Sequence, residues 1–556
     1  MKSSVSEQEW HWEPIDQQLA ALLTDVRDQQ PDDGLAIAIK LLSHQMRQGD
    51  ICLQLSSYAG LVIESSRLPK LQTWLAILES NHAVGKPGSN KPLILSDTGK
   101  LYFQRYWQYE QQLIDELIRR SMTQIDKLVD CKDHVDTNRS LSEPQNHVVL
   151  QAANSAFSII TGGPGTGKTT TISGLIKILV KHDPTISIAL AAPTGKAATR
   201  IQEAVADFDS HLAAQIQVST VHRLLGFVPG RVEFQHNAAN RLPHDIVIID
   251  EASMIDLALM CKLVNSIKSQ ARLVLLGDAD QLDSVESGAV FGELCRDIKN
   301  NRLGHCIHRL QYSYRFANYP GIGKLANAVN AGDHETAMQL LKSEHYPEIS
   351  WRPLEKKSLE QFLTQSIANQ FKLKIEPYQH VQSMGEFQLL CAHRKGQWGV
   401  DGLNQYIETW LSAHHLIAGN KPLYHGKPVI ITRNDYQLNL FNGDLGRLVK
   451  TEAGILKALF VKSESELREI SPSRLTAYQT AWALTVHQSQ GSEFDHVILV
   501  MPEKASPVLS QALIYTAITQ AKKSIQIISK NDILKQAISL RNSRQTGISD
   551  RLLCRY

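Results

Sequence analysis

Gly162-Gly163-Pro164-Gly165-Thr166-Gly167-Lys168-Thr169 follows the apolar run Ala156 to Thr161 and precedes a stretch of helical periodicity. A strand, a glycine-rich loop and a helix in that order make the context in which G-x-x-x-x-G-K-T is a phosphate-binding loop rather than a chance match. Glycines let the backbone curl until its N–H groups and the helix amino end surround phosphate oxygens. Lys168 then adds charge at the β and γ phosphates, Thr169 ligates Mg²⁺, and Gly162 to Thr170 form the expected ATP cradle. Further along, Ile246 to Ile249 end in Asp250-Glu251. Two carboxylates at the carboxyl end of a buried strand lie where such a sheet keeps its site. Asp250 is expected to hold Mg²⁺ and Glu251 to polarise the attacking water, because phosphoryl transfer needs positioning and charge compensation.

The runs Ile186 to Ala192, Asp245 to Asp250 and Ala271 to Leu276 alternate with helical stretches. This predicts an α/β class with a parallel sheet covered on both faces. A second region of the same kind is expected near Phe387 to Cys391, His496 to Met501 and Ser524 to Ile528. Residues 420 to 470 interrupt it with short β runs around Asn442-Gly443-Asp444, read as an inserted small barrel. Before both, residues 15 to 125 carry apolar positions at helical spacing, and the polar segment Thr123 to Gln145 resembles a linker. The expected division is a helical domain at 1–125, a first motor domain at 126–345 and a second at 346–556.

A chain of 556 residues exceeds one hydrophobic core. Its 58 basic and 56 acidic residues give no overall positive excess, so a nucleic-acid partner must be argued from motifs. Seven scattered cysteines without a C-x-x-C pair point to buried thiols. With no apolar signal core at the amino terminus and no apolar stretch of about 18 residues, the expectation is a cytoplasmic protein without a membrane partner.

More specific are Ala191-Ala192-Pro193-Thr194-Gly195-Lys196-Ala197-Ala198 and Ser219-Thr220-Val221-His222-Arg223. After them come Leu276-Gly277-Asp278-Ala279-Asp280-Gln281, Gln311-Tyr312-Ser313-Tyr314-Arg315, Thr485-Val486-His487-Gln488-Ser489-Gln490-Gly491-Ser492-Glu493 and Tyr515-Thr516-Ala517-Ile518-Thr519. In this order they resemble motifs Ia, Ib, III, IV, V and VI of superfamily-one helicases, within the branch of the RecD subunits of RecBCD helicase-nucleases. The resemblance covers roughly residues 145 to 530.

It implies two RecA-like motor domains with ATP between them. Gln281 would sense and Arg315 would contact the γ-phosphate, Gln145 would read adenine, and Glu493 would join the nucleotide site. Pro193, Thr194, Gly195, Lys196, Thr220, His222, Thr485 and His487 would lie along single-stranded DNA. Arg433 and Asn434 would contact DNA from the inserted barrel. Taken alone, Gln145 reads equally as a solvated linker residue, and His222 and His487 as capping histidines. The family moves 5′ to 3′, and the amino-terminal domain would dock a RecC-like subunit in a heterotrimer with a RecB-like subunit. No carboxylate–lysine cluster of the nuclease kind is visible beyond Asp32-Asp33, so nuclease activity would belong to the RecB-like partner.

One position departs from the pattern. Where related motors continue motif VI with an arginine finger, this chain has Thr519-Gln520-Ala521-Lys522-Lys523. Such a finger is worth roughly 10³ to 10⁵ in rate, and a neutral side chain does not supply its charge. Three readings follow: Lys522 or Lys523 substitutes, Arg315 suffices, or the chain binds ATP and DNA with weakened turnover. A stand-alone 5′–3′ helicase is the further alternative.

Overall fold

The computed structural model describes residues 12–553 apart from 25–32, 64–65, 126–140, 207–215, 229, 232, 285, 363, 365–366, 368–384, 418, 420, 436, 452, 464–465 and 542–543. Asp32, Cys131, Cys554 and most of the expected linker lie outside these residues.

The amino-terminal unit is not purely helical. Helices α1 (Pro14–Leu23), α2 (Asp33–Arg47) and α3 (Leu71–Ser80) pack around Trp74, whose indole N–H donates to the carbonyl of Gly34 at 2.9 Å. Beside them stand β1 (Leu53–Gln54), β4 (Val84–Gly85), β5 (Leu93–Leu95) and β6 (Lys100–Phe103), in the order β1-β6-β5-β4. Strands β2 (Val62–Ile63) and β3 (Ser66–Arg67) form a separate hairpin. Strands of two to four residues are too short to express alternation, and Leu93, Ile94 and Leu95 are all buried.

Helix α4 (Gln104–Ser121) leaves this unit and joins the first motor. Its Leu113, Ile114 and Leu117 enter the same core as Phe157 and Ile159. Arg120, fully buried, donates to the carbonyls of Ile267, Lys268 and Ala271 and pairs with Glu116 at 2.9 Å.

The first motor sheet contains β7 (Phe157–Gly162), β8 (Ile188–Ala192), β9 (Ile216–Thr220), β10 (Ile246–Ile249), β11 (Arg272–Gly277) and β12 (Ile307–Leu310). All pairings are parallel, in the order β12-β7-β11-β10-β8-β9. In β10, Val247 and Ile249 face one core while Ile246 and Ile248 face another, and all four are 0% exposed. Burial on both faces explains why the strand reads as a continuous apolar run.

The second sheet is β13 (Ile349–Arg352), β14 (Phe387–Cys391), β20 (Ala483–Thr485), β21 (Phe494–Val500) and β22 (Ala521–Ile528), ordered β13-β22-β21-β14-β20 and again parallel. Helices Pro320–Asn330 and His334–Lys342 share its core, so packing puts them with this sheet although the sequence division had them in the first motor. The helix Ile548–Leu552 instead returns to the first motor's core and to α4.

The insertion is an antiparallel sheet of β15 (Pro428–Ile431), β16 (Leu445–Lys450), β17 (Leu456–Ser463), β18 (Glu466–Ile470) and β19 (Tyr478–Thr480). Its order, β18-β17-β16-β15-β19, sets the last strand beside the first, residues of β15, β16, β17 and β18 share one core with Leu440 and Leu475, and the insertion expected as a small barrel at 420–470 reaches residue 480. Asn442-Gly443 makes the predicted turn, with Gly443 at φ +93°, a conformation that favours glycine. Among the described residues no helix is long and apolar enough to cross a membrane.

Candidate functional site

Between the two parallel sheets lies a cavity of about 840 Å³. From the first sheet it receives the loop after β7, the carboxylates after β10 and Gln281 after β11; from the second it receives Gly491, Ser492, Glu493, Thr519 and Gln520. Every expected catalytic residue, Lys168, Glu251, Gln281 and Arg315, lines it.

The loop is as tight as its glycines suggest. Gly165 and Gly167 have φ of +72° and +82°, and a Cβ on Gly162 would meet the carbonyl oxygen of Leu310 at 2.9 Å. Lys168, at the start of α6 (Lys168–His182), donates to the carbonyls of Gly162 and Gly163 at 2.7 and 3.3 Å. Thr169 is exposed at the amino end of this helix, where peptide N–H groups favour an anion.

Gln145 is the N3 residue of a capping box that opens α5 (Glu143–Ala153). Its Oε1 accepts from the Ser142 amide at 3.0 Å and its Nε2 donates to the carbonyl of Thr166 at 3.1 Å. It is therefore a buried link between α5 and the phosphate loop, and it also lines the cavity.

Glu251 sits at φ +52°, a left-handed conformation that is unfavourable for a side chain with a Cβ and that gathers at functional sites. Its amide donates to Asp250 Oδ1 at 2.9 Å. Burial and the neighbouring Asp250 push the Glu251 carboxyl up to about 7, while Lys168 and Arg200 oppose the shift. Asp250 is also raised by burial, against Lys168. Among the described residues no three His, Cys, Asp or Glu side chains converge on a metal position. The donor set of one hydroxyl and one carboxylate fits Mg²⁺ that arrives with phosphate and water oxygens as its other ligands.

The segment before Arg315 packs directly on the loop: the Tyr314 amide donates to the Gly165 carbonyl at 2.9 Å and the Ser313 hydroxyl to that of Pro164 at 2.8 Å. Arg315 Nη2 pairs with Glu493 at 2.6 Å, whereas its Nη1 is buried without a hydrogen-bond partner. A buried guanidinium nitrogen left unbonded beside a phosphate loop fits a polyphosphate. Burial opposes the charge on Glu493, but Arg315 and Arg200 more than offset it and hold the carboxyl below its ordinary range. Gln520 accepts from the Ser489 hydroxyl at 2.6 Å, and its Nε2 has no partner.

The residues expected along DNA collect at carboxyl ends of strands: Pro193 to Lys196 after β8, Thr220 at the end of β9, Thr485 and His487 at and beyond β20, and Arg433 and Asn434 beyond β15. Several have local partners. Thr220 caps the helix Val221–Leu224, accepting from the Arg223 amide; Thr485 accepts from the Gln488 amide; Asn434 accepts from the Asn442 amide. His222 is exposed, edge-on to Phe227 and Phe234, and Lys196 donates to the Ser492 hydroxyl at 2.7 Å. Sequence reasoning missed Arg200 and the half-exposed Tyr314, which both line the cavity. Arg200 is four residues beyond Lys196 on α7 (Gly195–Ala206), hence on the same helix face, which is the one signal that could have found it.

Two parallel α/β sheets that share a phosphate-loop cleft, with acids on one wall and basic and amide groups converging from both, define a P-loop motor ATPase of RecA-like architecture. The chain matches the families described as RecBCD enzyme subunit RecD, N-terminal domain, over residues 7–102; AAA domain, over 145–287; and UvrD-like helicase C-terminal domain, over 480–528. It is 34% identical to the RecBCD enzyme subunit RecD of Mycolicibacterium smegmatis, covering 97% of each chain. It is 33% identical to that of Mycobacterium tuberculosis over 94% of this chain and 92% of the other. The ATP-dependent RecD2 DNA helicase of Deinococcus radiodurans is 31% identical over 69% of this chain and 48% of its own. The chain belongs to the RecD family of helicase subunits.

Proposed function

We propose that this chain is the ATP-driven 5′–3′ DNA helicase subunit of a RecBCD-type complex in double-strand break repair, acting in the cytoplasm. The observation that carries this is the single cleft in which Lys168, Asp250 and Glu251 of one sheet face Glu493 and Gln520 of the other. Lys168 and the α6 amino end hold the β and γ phosphates. Thr169 and Asp250 would hold Mg²⁺, which would supply charge compensation at the phosphates, and Glu251 takes a proton from the attacking water. Gln281 and Arg315 meet the γ-phosphate. Tyr314 offers a ring face to the base, and Gln145 borders it.

Departure of the cleaved phosphate removes the negative charge that draws the Arg315 guanidinium and the Gln520 amide, so the second sheet, tied to Arg315 through Glu493, is released and the DNA-facing strand ends shift against each other. Residues 193–196, Thr220, His222, Thr485, His487, Arg433 and Asn434 grip the strand through these ends. The amino-terminal unit docks a RecC-like subunit beside a RecB-like motor. Support for this assembly comes from the RecD relatives that the chain resembles along nearly its whole length.

Single-strand-DNA-stimulated ATP hydrolysis by the purified chain tests the proposal. Turnover that Lys168→Ala abolishes is expected; absence of turnover together with absence of DNA binding would sink it. A second reading, a DNA-binding subunit with weakened ATPase, is favoured by the neutral Gln520 alone.

A further inference from the structure

Although the charge of Lys522 reaches Glu493, Lys522 and Lys523 both pair with Asp495, at 3.3 and 2.6 Å, and neither lines the cavity. Among the described residues, the cations that do are Lys168, Arg200 and Arg315. Arg200 is the one to which the motifs quoted above assign no role. It lies on α7, its side chain is 42% exposed, and its ion pair with Glu493 is long at 3.7 Å. Glu493 holds Arg315 at 2.6 Å through the same oxygen, so Arg200 is only loosely held. Its charge still reaches the cleft's acids, favouring the ionised forms of Asp250, Glu251 and Glu493. Gln520 brings no charge to this cleft and engages its own oxygen with Ser489.

We propose that Arg200 is a catalytic residue: its guanidinium contacts the terminal phosphate of bound ATP and supplies, from the first motor domain, the positive charge that Gln520 lacks. In the step it serves, the oxygen of water bonds to the γ-phosphorus and the bond from that phosphorus to the β–γ bridging oxygen breaks. The electron pair leaves with ADP, and the proton from water passes to Glu251. Arg200 offsets charge on the departing phosphoryl oxygens, which a guanidinium does with paired donors. Because α7 also carries Lys196, bonded to Ser492, phosphate release would loosen the helix at the point where it touches the second motor.

The inference rests on the ATPase reading, so the experiment separates the two. Equilibrium binding of fluorescent ADP and of a fluorescent β,γ-imido triphosphate would be measured with Mg²⁺ for the full chain, Arg200→Ala, Arg200→Lys, Gln520→Arg and the double variant R200A/Q520R, beside ATPase rates. For R200A, triphosphate affinity should fall at least about 10-fold with diphosphate affinity within about twofold, and kcat should fall roughly 10²-fold or more. Lys at 200 should retain an intermediate rate, and R200A/Q520R should recover at least about 10-fold of the loss. R200A that binds both nucleotides like the parent, or loses both equally without rescue by Q520R, overturns the proposal. A parent chain that binds neither nucleotide overturns the ATPase reading itself.

Discussion

The hydroxyl of Tyr515 donates to Oδ2 of Asp278 at 3.1 Å, joining the helix Gln511–Thr519 of the second motor to the loop after β11 of the first. Two bonds run beside it: the Leu282 amide donates to Thr516 Oγ1 at 2.9 Å, and Gln490 Nε2 donates to the Leu282 carbonyl at 2.9 Å. Asp278, only 2% exposed, is pushed up to about 6 by burial, against Lys168. The loop that carries Gln281 is therefore clamped from the other motor.

Tyr515→Phe removes the donor and leaves Asp278 short of one buried hydrogen bond, a loss of about 1–3 kcal/mol. The thermal midpoint should fall by a few degrees. DNA stimulation of ATPase should fall more than the basal rate, because the clamp links the motors. Unchanged stimulation would assign the bond to stability alone.

The raised Glu251 carboxyl fixes a pH dependence. Turnover should rise as pH increases through about 7, where Glu251 loses its proton and becomes a base. Its folded value lies above the ordinary 4.5, so the folded state binds the proton more tightly and stability falls as pH rises from about 4.5 through 7. Glu251→Gln should abolish turnover yet stabilise the chain at pH 8 by up to about 3 kcal/mol, an advantage that vanishes below about pH 4.5. Melting curves at both pH values check the sign.

A Cβ on Gly195 would approach Cβ of Phe441 to 2.5 Å, so the inserted sheet rests against the start of α7. Gly195→Ala should force the two apart and lower DNA-stimulated ATPase several-fold while leaving nucleotide affinity near that of the parent. Adding Phe441→Ala opens the space and should restore the rate. No restoration would separate the contact from the DNA response.

Glu110 is 0% exposed, accepts from the Gly547 amide at 2.8 Å and pairs with Arg551 at 3.1 Å. Arg551→Ala leaves a buried carboxylate unpaired, at a cost of roughly 3–5 kcal/mol. The double variant with Glu110→Gln should recover most of that. Denaturant midpoints for both variants are the measurement.

How much of this was legible in the sequence follows from the physics of each element. Lys168, Asp250 and Glu251 could be read because a phosphate loop and an acidic strand end are local patterns, fixed by neighbours in the chain. The parallel sheets could be read because strands buried on both faces are apolar throughout, as in Ile246 to Ile249. The amino-terminal strands could not, since two to four residues carry no period. Arg200 was hinted at only by its spacing from Lys196. Tyr515 and the Glu110–Arg551 pair were invisible for another reason. Their roles depend on side chains 237 to 441 residues away, as in Tyr515 with Asp278 and Glu110 with Arg551. The strand order of the insertion, with β19 beside β15, was likewise a matter of pairing between strands, which turn chemistry at Asn442-Gly443 does not determine.

The pocket around Glu110 also sets an order of events during synthesis. Its partners Gly547 and Arg551 emerge from the ribosome 437 and 441 residues after it. At some 5–20 residues per second, those partners follow roughly 20–90 s later, and until then they do not close over that carboxylate. Most of helix α4 packs against the first motor, but its Glu110 end gains its last neighbours only when Gly547 and Arg551 arrive. Closure of this end comes late: products truncated before Gly547 lack the seam between α4 and the helix Ile548–Leu552.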